Sequence, residues 1–111
     1  PLAVTGGFRS RAAMAQALET GALDAVGIAR PLCLDAGLVD ALLDGRIDRL
    51  PSPDDQPGTE AQATIAYYFN QIRHLATGNP IETDIDWQTQ LAQHSAYDAA
   101  LTERYLATFA S

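Results

Sequence analysis

Two short apolar runs constrain this chain more than any other feature: Leu2-Ala3-Val4-Thr5 and Leu23-Asp24-Ala25-Val26-Gly27-Ile28-Ala29. The first ends in Gly6-Gly7 and the second in Arg30-Pro31. Each reads as a strand stopped by a turn. Between them Ser10 is placed to cap a helix beginning near Arg11, and Ala12, Ala13, Met14, Ala15, Ala17 and Leu18 all suit a helix. Gly21 is a natural stop. Strand, about a dozen helical residues, then strand is the spacing of a right-handed crossover between parallel strands. Near-continuous apolar runs predict strands covered on both faces. Two parallel strands cannot supply that cover alone, so further strands are expected, from partners or from a longer protein. Truncation is the favoured expectation, because the chain opens at Pro1 rather than methionine, one residue before a strand. At 111 residues it is also too short for a complete (β/α)8 barrel, which needs roughly 200.

After Pro31 the pattern becomes helical. Asp35 can cap a helix over 36–44 with Leu38, Val39, Leu42 and Leu43 on one face, ended by Gly45. Residues 48–59 hold Pro51, Pro53 and Pro57 and read as a surface loop. From Glu60 to Thr77, Ala61, Ile65, Tyr68, Phe69, Ile72, Leu75 and Ala76 recur at helical spacing before Gly78. These apolar positions are expected to form the buried face. Asp84 or Asp86 opens a last helix with Trp87, Leu91, Leu101, Tyr105 and Phe109 along a stripe, and Trp87 and Phe109 read as its anchors. The expected organisation is residues 1–47 as two βα units, 48–59 as a loop, and 60–111 as a helical extension.

The ends of the two strands carry the chemistry. Glycine lets main-chain N–H groups approach a ligand closely and adopt positive φ. A helix N-terminus adds unpaired N–H groups that suit phosphate, and Arg30 adds a fixed cation. Adjacent parallel strands would bring both tips to one place. In (β/α)8 barrels a phosphate site is frequently built after strands seven and eight. A glycine pair alone is a weak signal, since tight βα turns need glycine without any ligand. Two such tips about twenty residues apart are a stronger one.

The stretch Val4-Thr5-Gly6-Gly7-Phe8-Arg9-Ser10-Arg11, followed by Ala17-Leu18, Gly21-Ala22, Asp24, Val26-Gly27-Ile28 and Ala29-Arg30-Pro31-Leu32, resembles the C-terminal part of the Old Yellow Enzyme family. These are NADH:flavin oxidoreductases, FMN-containing (β/α)8 barrels. The likeness is tight over about residues 2–40; Glu60-Ala61-Gln62 and Tyr67-Tyr68-Phe69-Asn70-Gln71-Ile72 are similar, less specifically, to C-terminal helices of some bacterial members. The resemblance implies an α/β fold class: the last two parallel strands of a TIM barrel with their helices, then C-terminal helices. It implies that main-chain N–H groups of Gly6, Gly7, Phe8, Ala29 and Arg30 hold the FMN phosphate. The family usually has glycine where Ala29 stands, and alanine disfavours positive φ. The implied reaction is hydride transfer from NAD(P)H through FMN to an activated alkene. The family's substrate-holding His-Asn or His-His pair and proton-donating Tyr lie on earlier strands, so no catalytic residue is expected here. Other phosphate-binding barrels, including dihydrouridine synthases and dihydroorotate dehydrogenases, also put glycine-rich tips on these strands. A third reading is a small helical interaction module.

Charge excludes further classes. Seven arginines, no lysine and fourteen acids give a net charge of −7. Residues 1–33 hold three arginines and two acids, whereas 34–111 hold four and twelve. An acidic chain without a basic stripe is not expected to bind nucleic acid. No run of 18 apolar residues predicts a membrane span, and the opening residues lack a secretory pattern, so a cytoplasmic location is expected. The partners expected are FMN, a small-molecule substrate and the missing upstream barrel strands. One cysteine, Cys33, reads as a small buried thiol, and no metal site is expected at Asp54-Asp55. Tyr67, Tyr68, Tyr97 and Tyr105 are assigned to packing, His74 to solvent, and His94 to a hydrogen-bonded helix interface. Arg9 and Arg11 read equally as phosphate-steering groups or as surface ion pairs.

Overall fold

The computed structural model describes residues 1–53 and 60–110. The chain divides into two compact units, Pro1–Asp55 and Gln56–Ser111.

In the first unit, β1 (Ala3–Thr5) leads through the glycine pair to α1 (Arg11–Glu19), and β2 (Ala25–Gly27) follows. The strands pair in parallel, with Ala3 opposite Ala25, Val4 opposite Val26 and Thr5 opposite Gly27. The crossover expected from spacing is present. Ser10 caps α1, its hydroxyl accepting from the Ala13 N–H, and Gly21 at φ +71° follows the Thr20 C-cap. Both strands are shorter than the apolar runs that announced them. Neither is buried on both faces: all of β1 and Ala25 are exposed, and Val26 and Gly27 are half-buried. A two-stranded sheet has nothing to lay across its free face.

A short 3₁₀ turn, Arg30–Cys33, succeeds β2; the sequence reading did not anticipate it. Then α2 spans only Leu38–Leu43. Asp35 does not cap it. Its Oδ1 accepts from the Gly37 N–H at 2.7 Å, closing a local turn that delays the helix until Gly37 serves as N-cap. The core of this unit gathers Met14, Leu42 and Leu50, with Phe8, Val26, Ile28, Leu38 and Ile47 packed around them. Leu50 belongs to the stretch read as loop. Residues 48–50 instead lie along the start of α1: the Arg11 N–H donates to the Asp48 carbonyl (2.9 Å) and the Leu50 N–H to the Arg9 carbonyl (2.7 Å). Ser10 and Arg49 form an antiparallel bridge between these bonds. The remainder of the expected loop, residues 54–59, lies outside the described residues.

The second unit consists of α3 (Ala61–Ala76) and α4 (Trp87–Phe109) with the segment between them. Tyr67 meets Trp87 edge-on at 5.5 Å, Asn70 bonds Gln90, and Arg73 bonds His94. Numbers rise together along both helices, so they run in the same direction. The connecting segment folds back along α3, where the Tyr67 hydroxyl donates to the Glu82 carbonyl and the Glu82 N–H donates to Gln71 Oε1. Asp86, not Asp84, caps α4 by accepting from the Gln88 N–H.

The buried face of α3 is a correction. Ala63, Ala66, Tyr67, Tyr68, Asn70 and Gln71 are buried, whereas Ile65, Phe69, Ile72 and Leu75 are exposed. The helix turns its polar side inward, where Asn70 Nδ2 donates to Gln90 Oε1 at 2.8 Å and Gln90 Nε2 bonds Glu82. Burying side-chain amides is tolerable only when they are bonded, and most here are. Gln71 Nε2 has no hydrogen-bond partner among the described residues. Phe109 is 68% exposed and anchors nothing in this chain, and Tyr97 and Tyr105 are likewise exposed. Tyr97 instead faces the Arg73 guanidinium at 3.7 Å. His74 is not free in solvent: Nδ1 lies 2.9 Å from the Pro80 carbonyl. No described helix is long and apolar enough to cross a membrane.

Candidate functional site

The parallel register sets the geometry of the strand tips. Thr5 and Gly27 are paired, so Gly6 and Ile28 leave the sheet from neighbouring positions, about 5 Å apart by ordinary strand spacing. Gly27 is needed for this approach. A Cβ built on it would stand 2.9 Å from Thr5 Cβ and closer still to the Thr5 hydroxyl, so only hydrogen fits. At the tip itself, Gly6 and Gly7 have φ of +97° and +79°, and a Cβ on either would meet nothing within 4 Å. Open space above a left-handed turn is what an approaching anion requires.

The sequence-predicted donors divide on inspection. Gly6 N–H donates to the Gly27 carbonyl at 3.3 Å, which extends the ladder by one step. Gly6 therefore turns the chain rather than offering its amide. Gly7 is exposed and Phe8 half-buried, with the Phe8 ring packed on the core below the turn. On the second tip, Ala29 and Arg30 are exposed. Ala29 has φ −126°, so its methyl group meets no left-handed strain and glycine is not needed there for φ. The Ala29 carbonyl accepts from the Leu32 N–H at 2.9 Å, closing the 3₁₀ turn over Arg30-Pro31.

At the N-terminus of α1, two of the N–H groups expected to be open are already bonded. The Arg11 N–H is taken by the Asp48 carbonyl and the Ala13 N–H by the Ser10 hydroxyl. A capped and strapped first turn has few donors left for a ligand. Sequence reasoning missed the cause, because the strap comes from a proline-rich stretch nearly forty residues away. It also missed Arg49, which that strap carries to a cavity of about 510 Å³ beside Gly6, Gly7 and Phe8. Arg9 lines the same cavity, with Nη1 donating to the Phe8 carbonyl at 3.0 Å and Nε bonded to the Ser52 hydroxyl. Arg9 forms no ion pair with a described acid, so the surface ion-pair expectation is not met. Among the described residues, no carboxylate lines this cavity.

Cys33 is half-buried just past the second tip, and burial pushes its thiol above the ordinary value against an opposing backbone hydrogen bond. It is therefore a protonated, weakly nucleophilic group at neutral pH. In the second unit His94 stacks on Phe69 at 5.3 Å. It also accepts from Arg73 through Nδ1 and lies 3.5 Å from Asp98 through Nε2. The Arg73 bond and the Phe69 stack join α3 to α4, which is the interfacial role expected, while the Asp98 contact lies within α4. No group of three or more His, Cys, Asp or Glu among the described residues could hold a metal ion.

What the fold and site define is a mixed α/β piece with a two-stranded parallel sheet and, at its carboxyl end, an open glycine turn whose cavity has no acid among its described lining residues. No protein-family model matches the chain, and no solved structure does. It is 35% identical over 97 residues to the NADH-dependent flavin oxidoreductase nadA of Aspergillus parasiticus. That match covers 86% of this chain and 19% of the relative, so the chain spans about a fifth of that protein. The similarity supports a flavin oxidoreductase fragment.

Proposed function

We propose that this chain is the C-terminal part of an FMN-dependent NAD(P)H oxidoreductase of the Old Yellow Enzyme type and supplies its phosphate anchor. In this reading β1 and β2 are the seventh and eighth strands of a (β/α)8 barrel, and α3 and α4 form a C-terminal extension. The single observation carrying it is the pair of strand tips leaving from the Thr5–Gly27 register position, one of them an open left-handed glycine turn. The relative's name and the residues shared with the family support the same assignment.

The residues fit a phosphate. Gly7 and Phe8 offer main-chain N–H groups on one tip, Ala29 and Arg30 on the other, and Gly6 provides the bend. A dianion placed there meets arginines and no carboxylate among the described residues that line the turn cavity. When bound, FMN supplies the redox chemistry, hydride acceptance from NAD(P)H and hydride donation to an activated alkene. This chain's residues hold the phosphate end and so fix where the rest of the molecule lies. The catalytic residues belong to earlier barrel strands. A cytoplasmic location, and association with those strands, complete the proposal.

The test is made on the longer protein. The coding sequence upstream of Pro1 should continue for a couple of hundred codons and include a His-x-x-His or His-x-x-Asn pattern. The purified product should release FMN, identified by absorbance and chromatography. Substituting Gly7→Val should deplete that FMN while leaving the protein folded. A product without flavin, or flavin content indifferent to Gly7, overturns the reading.

A further inference from the structure

The chain carries twice as many acids as arginines, yet among the described residues the cavity beside the glycine turn holds Arg9 and Arg49 and no acid. The two arginines are not equivalent. Arg9 is bound to Ser52 and to the Phe8 carbonyl. Arg49 has no hydrogen-bond or ion-pair partner among the described residues. Its backbone is nevertheless held, because the Asp48 carbonyl and the Leu50 N–H on either side bond residues 11 and 9, and Arg49 itself bridges Ser10. The adjacent Asp48 is absent from the lining of the turn cavity and borders a second depression, which Arg11 and Arg49 also line, so Arg49 stands between the two. A guanidinium without a partner among the described residues, on a fixed backbone, therefore stands beside an open main-chain turn.

We propose that Arg49 is the side-chain clamp of the phosphate-monoester site at the Gly6–Gly7 turn. The inference rests on the phosphate reading of that turn and assigns it a residue outside the matched family motif. Its physical basis is the need for charge at the first tip, since Arg30 belongs to the second tip and does not line this cavity. The strap that delivers Arg49 also occupies the Arg11 N–H, and Ser10 occupies that of Ala13, so the start of α1 offers an anion little. Amide donors at Gly7 and Phe8 give direction but no net charge. The guanidinium fork supplies both charge and two parallel N–H groups matched to phosphate oxygens.

The test is a titration of the ¹⁵N-labelled chain with inorganic phosphate at constant ionic strength, following the Gly7 and Phe8 amides and the Arg49 side-chain N–H. Arg49→Gln is compared with Arg46→Gln. Arg46 is an exposed residue paired with Asp44, so the second variant makes the same charge change outside the cavity. Loss of a charge-assisted contact should weaken phosphate binding about five- to tenfold in R49Q, while R46Q changes it less than about twofold. Equal weakening in both variants, with Gly7 and Phe8 still responding, overturns the clamp and leaves the turn's reading intact. No response at Gly7 and Phe8 in the unsubstituted chain overturns both. Should R49Q lose the dispersed spectrum of the folded chain, Arg49→Lys carries the comparison. Retaining charge without the fork, it should weaken binding by a smaller factor than R49Q, and unchanged affinity in R49K refutes the clamp.

Discussion

Gly27 shows how one hydrogen atom can set a register. Its partner Thr5 occupies the space a Cβ would need, so the two strands close to full pairing only because position 27 lacks a side chain. Gly27→Ala should destabilise the first unit by about 1–3 kcal/mol, the usual range for overpacking, in urea denaturation. Thr5→Gly in the same chain should recover part of that loss, since the two residues are in direct contact. Asp86 makes a second residue-scale case. The Thr89 hydroxyl holds its carboxyl below the usual carboxylate value, with the Gln88 and Thr89 N–H groups adding to the effect. A carboxylate with a depressed folded value stabilises above its unfolded value, ~3.9, and loses that contribution as pH falls through the folded one. The start of α4 should therefore loosen in acid below about pH 4. Asp86→Asn should flatten this dependence when helicity is followed by circular dichroism against pH.

At the scale of elements, α3 is the instructive helix. Its periodic apolar positions were legible, and its span agrees with the sequence to within one residue at each end. Which side faced inward was not legible. The buried side is chosen by what α4 and the folded-back segment offer, namely Trp87, Glu82 and Gln90, and those partners favour Tyr67, Asn70 and Gln71 over Ile65 and Ile72. Two substitutions separate the faces. Ile65→Ser removes a side chain that is 54% exposed and should change the chain's stability by no more than about 0.5 kcal/mol. Tyr67→Ala should cost about 3–5 kcal/mol, the range for truncating a buried aromatic, with the Glu82 carbonyl losing its donor as well. Thermal or urea unfolding of the two variants checks the contrast; equal effects would restore the sequence-based orientation. α2 differs in kind. Leu42 is buried and Leu38 and Val39 half-buried as expected, but Leu43 is 69% exposed and Ala41 is buried in its place. A local bond from Asp35 to Gly37 competes with helix propagation and shortens it.

Across the whole molecule, the two units are built by different means. The first is held by a small core under a two-stranded sheet, the second by a bonded polar interface between parallel helices. Two strands of three residues with largely exposed side chains form a weakly protected ladder. Amide hydrogen exchange should therefore be faster at Val4 and Val26 than at Tyr67 and Asn70 in the middle of α3. The order should reverse within the longer protein if flanking strands cover the sheet. Slow exchange at Val4 and Val26 in this chain alone would show that the pair needs no such cover. Of the candidate site, the glycine turn was readable because left-handed turns demand particular residues locally, whereas the 3₁₀ turn at the second tip was not. Arg49 was not, because its position depends on a pairing between segments almost forty residues apart.

Local chemistry by itself determined the order of elements, the crossover between parallel strands, the Ser10 cap and the glycine stops. Each follows from the conformational preferences of a few neighbouring residues. Only the tertiary structure decided which amides at the glycine turn remain open, which arginine reaches it, and which face of α3 lies inward. Those outcomes depend on competition among donors and surfaces far apart in the chain, and periodicity along one segment carries no information about the partner that wins.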